Sequence, residues 1–108
     1  LMRTLNGIMK DKELFRDSNL TLERLAKRLS VPARDLSGAI NRVTGQNFSR
    51  FVNGYRIVYA KDVLLETDLP VTEVMFEAGF LSKSSFNTEF RRITGLTPSQ
   101  LRSKGAAG

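Results

Sequence analysis

Residues 42–51 read RVTGQNFSRF, and residues 92–101 read RITGLTPSQL. The two stretches share an arginine, a β-branched residue, a threonine and a glycine in the same order, and Ser49 is matched by Ser99. Glycine directly after a helix is the usual left-handed C-cap, so each stretch predicts that a helix stops, at Gly45 and at Gly95. The echo indicates a duplicated helical unit.

The repeat extends upstream through two helical segments in each copy. Apolar residues recur at intervals of three and four, which predicts helices with one buried face. The aligned positions are Leu22/Val71, Leu25/Val74, Leu29/Ala78, Leu36/Phe86, Ile40/Phe90 and Val43/Ile93. Each copy therefore predicts a short helix, a tight turn, a second helix and a glycine stop, which is a helix-turn-helix. We expect Val43 and Ile93 to plug the two cores, with Ser85 also facing inward.

Local signals refine the boundaries. Thr21 and Ser82 stand where N-caps are expected, and Gly79 stands in a turn that needs a positive φ. Leu5 and Met9 belong to an opening helix, and Thr97-Pro98 predicts a last short helical turn.

A longer apolar stripe begins at Phe48 and ends near Thr67, before the break at Asp68-Leu69-Pro70. It predicts one helix of about 18 residues, roughly 27 Å long. No alternating strand pattern competes with the helices. The chain is thus predicted to be all-α, with about seven helices: a first helix-turn-helix subdomain at residues 1–48, a linker helix at 49–67 and a second subdomain at 68–108.

Composition restricts the function. There are 17 Lys and Arg against 11 Asp and Glu, a net charge of +6, which favours a polyanionic partner: nucleic acid first and an anionic membrane surface second. Cys and His are absent, which removes thiolate chemistry, nearly all zinc sites and the usual general base. We expect no enzyme, no cofactor and no metal. No apolar run has bilayer-spanning length, so we expect a cytoplasmic location. From the start at Leu1 we expect either a piece of something longer or a chain that was trimmed at its start.

The run from Tyr55 to Arg102 resembles the signature of the AraC/XylS family of bacterial transcription regulators. The matching elements are Tyr55-Arg56, Ala60, Leu64-Leu65, Val71, Val74, Gly79-Phe80, Ser85-Phe86, Phe90-Arg91, Gly95, Thr97-Pro98 and Arg102. The first copy, residues 20–52, is similar to the family's less regular first motif. The resemblance implies two homeodomain-like helix-turn-helix subdomains joined by a long helix. Each second helix would enter a major groove on one face of double-stranded promoter DNA, and a sensor or dimerisation domain would lie outside this chain.

Subtracting the apolar core positions leaves the DNA-facing residues of each second helix. In the first copy these are Arg34, Ser37, Gly38 and Asn41, with Arg42 at the edge, and they match positions at which family members touch bases. Arg34 suits guanine and Asn41 suits adenine. Gly38 has no side chain where many relatives carry a long polar one, so the first copy is expected mainly to position the domain on phosphates.

In the second copy the base-contacting candidates are Lys83, Ser84, Asn87 and Thr88. Lys83 lies in the first turn, Asn87 suits adenine, and Thr88 suits a thymine methyl group. The phosphate candidates are Arg42, Arg50, Arg91 and Arg92. Arg56, amid core positions of the linker helix, is expected to form a buried ion pair, and Phe80 to plug the core.

The sequence therefore predicts a sequence-specific DNA-binding domain of a transcription regulator that also contacts RNA polymerase. The alternative is a helical protein-interaction module whose DNA site has decayed, which Gly38 and the serines at groove positions favour. The operator, the effector, the direction of regulation and the oligomeric state stay open.

Overall fold

The computed structural model describes residues 1–107, whose regular elements are helices joined by turns, with no strand among them. The α-helices are α1 (Met2–Lys12), α2 (Leu22–Leu29), α3 (Ala33–Thr44), α4 (Phe48–Glu66), α5 (Val71–Glu77), α6 (Lys83–Thr94) and α7 (Pro98–Ala107). A single 3-10 turn, Leu14–Arg16, follows α1. The predicted all-α class with about seven helices is confirmed. Among residues 1–107, no helix is both long enough and apolar enough to span a lipid bilayer.

The chain forms two compact units, residues 1–53 and residues 54–108, and their boundary lies inside α4. The first unit buries apolar side chains of α1, α2 and α3, among them Leu5, Leu25, Leu36 and Ile40. In the second unit, Ile57, Ala60 and Leu64 of α4 join the apolar faces of α5 and α6. The division at 48/49 and 67/68 stays a prediction.

An aromatic row fills the second core. The Phe80 ring meets the Phe86 ring edge-on at 5.3 Å between centroids, and Phe86 lies 5.6 Å from Phe90. Edge-to-face pairs of this kind place the positive ring edge against the negative ring face. Phe80 is 3% exposed, so its predicted role as a core plug is confirmed.

The predicted N-caps are confirmed. The Thr21 hydroxyl accepts a hydrogen bond from the Arg24 amide at 3.1 Å, and the Ser82 hydroxyl accepts one from the Ser85 amide at 3.1 Å. Each side chain therefore satisfies an amide that the first turn of a helix leaves without a partner.

The echoed threonine and glycine end the two second helices together. Gly45 and Gly95 adopt φ values of 71° and 78°, and each glycine amide donates to the carbonyl four residues earlier. Before them, the Thr44 hydroxyl donates to the Ile40 carbonyl at 2.6 Å, and the Thr94 hydroxyl donates to the Phe90 carbonyl at 2.7 Å. The same oxygens accept from the Gln46 and Leu96 amides, each at 3.1 Å. The repeated threonine and glycine therefore end both helices in the same way, because the threonine hydroxyl group is hydrogen-bonded to the last turn of the helix and to the residue after the glycine.

The tight turn of each copy also needs a left-handed residue. In the second copy this residue is Gly79, at φ 104°, as predicted. In the first copy Ser30 occupies the corresponding region at φ 58°, although it carries a side chain. The same turn therefore carries more backbone strain in the first copy.

Arg102 of α7 binds the end of α4 inside the second unit. Its Nε donates to the Leu64 carbonyl at 3.1 Å, and its Nη2 donates to the Thr67 carbonyl at 3.2 Å. A cation at a helix C-terminus satisfies its free carbonyls and opposes its partial negative charge. The family resemblance includes Arg102, but the sequence did not indicate this contact.

Three expectations about side chains and lengths were wrong. Val43 is 65% exposed and Ile93 is 40% exposed, so neither plugs a core. Both lie on the apolar side of their helices but in the last turn, three residues beyond Ile40 and Phe90, the last buried residues of α3 and α6. Ser85 is exposed because it lies about 100° around α6 from the buried Phe86. The last segment is a ten-residue helix, longer than a short turn, because no breaker follows Pro98 before residue 105.

Candidate DNA interface

The predicted outward residues of α3 lie opposite its buried side. Leu36, Ala39 and Ile40 face the core. Arg34, Asn41 and Arg42 are exposed, and Ser37 and Gly38 are half-exposed. We call these five outward residues the reading face of α3. They present two guanidinium groups and a carboxamide, all of which suit base edges in a major groove.

The Arg42 side chain covers Gly38. Its Nη1 lies 3.1 Å from the point that a Cβ atom on Gly38 would occupy. Side chains on a helix tilt toward its N-terminus, so a residue at i+4 reaches back over residue i. The guanidinium group of Arg42 consequently stands in the middle of the reading face, although the sequence placed Arg42 at its edge.

The candidates on α6 are all exposed. Lys83, Asn87 and Arg91 follow one another at intervals of four residues and so form one ridge. This ridge lines an open cleft of about 450 Å³, together with the first residues of α5 and the segment that begins α7: Val71, Thr72, Thr97, Pro98 and Ser99. Ser84 and Thr88 form the next ridge outside the cleft. The structure thus brings the second copy's basic and amide side chains together.

Arg92 has a different environment from Arg42, its counterpart in the repeat. Its Nε and Nη2 donate to the two carboxylate oxygens of Glu89 at 2.8 and 2.9 Å. Hydrogen bonding to Glu89 raises the pKa of Arg92 above its ordinary value. A guanidinium group that is held by a carboxylate in this way has fewer donors for a phosphate.

Arg50, the remaining phosphate candidate, is exposed on the first turn of α4. Arg56 is half-buried, not buried as expected, and its guanidinium carbon lies 5.8 Å from the centre of the Phe80 ring. This cation–π geometry gives Arg56 a packing role in the second unit. Its ion pair stays a prediction.

In residues 1–107, no three acidic side chains come together in a group able to hold a metal ion. The outward sides of α3 and α6 present hydrogen-bond donors, amides and positive charge. Such surfaces bind nucleic acid through phosphates and base edges.

Comparison with known proteins supports this interpretation. A family model described as a helix-turn-helix domain matches residues 25–104, most of the chain. The chain belongs to the AraC/XylS family of helix-turn-helix domains. This AraC/XylS-type domain is 34% identical over 80 residues to the HTH-type transcriptional activator RhaS of Escherichia fergusonii. The match covers 74% of the chain and 29% of RhaS.

Solved structures agree with the fold of the AraC/XylS-type domain. The C-terminal domain of AraT, a response regulator from Geobacillus stearothermophilus, is 30% identical and matches with a TM-score of 0.80 over 92% of this chain and 82% of that one. The DNA-binding domain of the global transcriptional factor AdpA, solved in complex with a target DNA, matches with a TM-score of 0.83 at 24% identity, covering 95% and 92% of the two chains. The AraC/XylS-type chain spans 11% to 35% of the length of the first curated relatives that it matches.

Proposed function

We propose that the chain binds promoter DNA sequence-specifically by placing α3 and α6 in adjacent major grooves, and that it does so by binding and not by catalysis. The observation that carries this proposal is the exposure of both candidate sets on the outward sides of the second helices of two helix-turn-helix units. Because bacterial chromosomal DNA lies in the cytoplasm, we also propose a cytoplasmic location.

Individual roles follow from side-chain chemistry. We assign Arg34 and Lys83 to guanine, Asn41 and Asn87 to adenine, and Thr88 to a thymine methyl group. Ser37 and Ser84 are secondary base contacts, since a hydroxyl group pairs with either kind of base. Arg50 and Arg91 bind phosphates, and Arg92 does so with the donors that Glu89 leaves free.

The regulatory direction is proposed from a relative. RhaS is named as a transcriptional activator, and we propose that the protein containing this chain also activates transcription, through contact with RNA polymerase. A sensor or dimerisation domain elsewhere in that protein would couple DNA binding to a signal.

A selection from a randomised duplex library, followed by binding at several salt concentrations, tests the proposal. We expect one enriched sequence, with two protected patches whose centres are about 10 base pairs apart. The affinity is expected to fall about 10³-fold between 50 and 200 mM salt, as for about six phosphate contacts. A lack of enrichment together with a flat salt response would refute DNA recognition.

The interaction-module alternative is tested by one set of variants. The triple variant Arg34→Ala, Lys83→Ala and Asn87→Ala removes candidates from both helices, and Lys61→Ala, an exposed change on α4, is the control. We expect the triple variant to lose the selected site and Lys61→Ala to keep it. Unchanged promoter occupancy with lost protein-partner binding would favour the interaction module.

A further inference from the structure

The centre of the reading face of α3, at Gly38, is covered by the side chain of Arg42. Gly38 lies on the outward side of the helix, between Arg34 one turn before it and Arg42 one turn after it. A glycine there would ordinarily leave bare backbone. Gly38 is instead half-covered, because the guanidinium group of Arg42 lies against it.

The fit depends on the missing side chain. A Cβ atom at position 38 would lie 3.1 Å from Nη1 and 4.0 Å from Cζ of Arg42, closer to Nη1 than most real Cβ contacts. An added Cβ atom would therefore require the guanidinium group to shift by a few tenths of an ångström, and a long side chain at position 38 would compete with it for the same space. Gly38 and Arg42 work as a pair, in which the absence of one side chain makes room for the other.

Arg42 is also free to act there. In the part of the chain that the structure describes, Arg42 forms no ion pair with a carboxylate. Arg92, the counterpart of Arg42 in the second copy, donates two hydrogen bonds to Glu89. A sequence difference between the two copies explains why Arg42 has no such partner. The position that corresponds to Glu89 in the first copy is Ala39, a buried side chain with no charge. The two echoed arginines therefore have different surroundings.

We infer that Arg42 is a specificity-determining residue that reads a guanine from the position Gly38 leaves open, and is not a phosphate anchor. The inference rests on the proposed insertion of α3 into a major groove. A guanidinium fork pairs with O6 and N7 of guanine through two hydrogen bonds. The first copy consequently reads bases with Arg34 and Arg42, despite its central glycine.

The test compares base preference with salt dependence in four variants. A base contact and a phosphate contact differ in a measurable way: losing a phosphate contact weakens binding on all sequences and lowers the salt slope by about 1, whereas losing a base contact relaxes one position. Arg42→Ala is expected to lower the preference for guanine at one base pair about tenfold, with the preferences at other positions unchanged.

Three further variants isolate the mechanism. Arg42→Lys keeps the charge and replaces the rigid fork by a single ammonium group, so we expect the guanine preference to weaken less than in Arg42→Ala while the salt slope stays. Gly38→Gln fills the open position and is expected to change the preference at the same base pair, with Arg42 still present. Arg50→Ala is the matched control, an exposed arginine of the same unit, and is expected to weaken all sequences equally and to lower the salt slope.

The Arg42→Ala variant distinguishes a base contact from a phosphate contact. If Arg42→Ala weakens all sequences equally and lowers the slope by about 1, Arg42 is a phosphate anchor and the inference is overturned. An Arg42→Ala variant with unchanged preference and affinity overturns it as well. Far-ultraviolet circular dichroism and thermal unfolding verify that each variant is folded. If the unaltered chain enriches no sequence, the proposed function itself is refuted. If the unaltered chain enriches a sequence and only the Arg42 result is contrary, the inference about Arg42 is refuted and the proposed function is not.

Discussion

At the scale of single residues, the hydroxyl groups of Thr44 and Thr94 explain why the chain repeats a threonine before each glycine. Each hydroxyl donates to a carbonyl inside the helix and accepts from an amide beyond it. Valine has the same shape and can do neither. A β-branched residue alone would therefore not end the helix in the same way.

Replacing Thr94 by valine should destabilise the chain by about 1–2 kcal/mol, because the change leaves the half-buried Leu96 amide without its acceptor. Chemical denaturation measures the change, and Thr94→Ser, which keeps the hydroxyl group, should retain most of the stability. Thr88→Val, at an exposed position of the same helix, is the control and should change the free energy of unfolding by less than about 0.5 kcal/mol. Equal losses for Val at positions 88 and 94 would contradict this account.

The left-handed turn before α3 offers the opposite experiment. Ser30 holds a conformation that glycine adopts without strain. Ser30→Gly is therefore expected to raise the free energy of unfolding by about 0.5–1 kcal/mol, which is the relief of strain minus the greater freedom of glycine in the unfolded chain. Gly79→Ala, the reverse change in the second copy, should lower it by more than about 1 kcal/mol. Thermal unfolding measures both, and a destabilised Ser30→Gly variant would refute the strain argument.

At the scale of helices, the end of α4 depends on α7. Besides the two hydrogen bonds from Arg102, Gly105 of α7 lies so close to the Leu65 side chain that an added Cβ atom would collide with its Cδ2. The last turn of α4 is thus contacted by the guanidinium group of Arg102 and, through Leu65, by the backbone of α7.

Arg102→Ala should destabilise the second unit by about 1 kcal/mol, since the contact is partly exposed and the carbonyls regain water. Hydrogen exchange is the sharper measurement, because the amides of the last turn of α4 should exchange faster while those of α3 do not change. Arg102→Lys, with one donor group in place of a fork, should show an intermediate effect. Uniform acceleration across the chain would point to global unfolding instead.

The helices themselves were predictable, and the fine placement of their side chains was not. Periodic apolar residues, N-caps at Thr21 and Ser82 and glycine stops mark the elements locally, so the sequence is enough to find them. The exposure of Val43 and Ile93 depends on which other parts of the chain reach the last turn of each helix. The position of the Arg42 guanidinium group depends on the absence of a side chain four residues away and of an acid at position 39. Neither is a local property of the residue concerned.

At the scale of the whole chain, the positive charge is divided unequally between the two units. Residues 1–53 carry ten basic and five acidic residues, a net +5, while residues 54–108 carry seven and six, a net +1. The first unit also exposes Arg24, Lys27 and Arg28 along α2. Long-range attraction to DNA should therefore come mainly from the first unit.

A pair of charge variants checks this asymmetry. Arg24→Gln with Arg28→Gln removes two charges from the first unit, and Lys61→Gln with Lys104→Gln removes two from the second. At 50 mM salt the first pair should slow association with DNA several-fold and the second pair by less than about twofold, because the two lysines lie in the nearly neutral unit. Stopped-flow fluorescence measures these rates. The difference should shrink at 300 mM salt, and equal effects at low salt would show that only total charge matters.

The shared ending of α3 and α6 has a consequence for redesign. Both helices contain 12 residues, and both stop at a threonine and a glycine held by the same hydrogen bonds. Outward positions of one helix therefore correspond to those of the other at a constant offset of 50 residues. Side chains can in principle be transplanted between the copies without moving the frame that presents them, so a chain with two identical faces, or with its two faces exchanged, is a realistic engineering target.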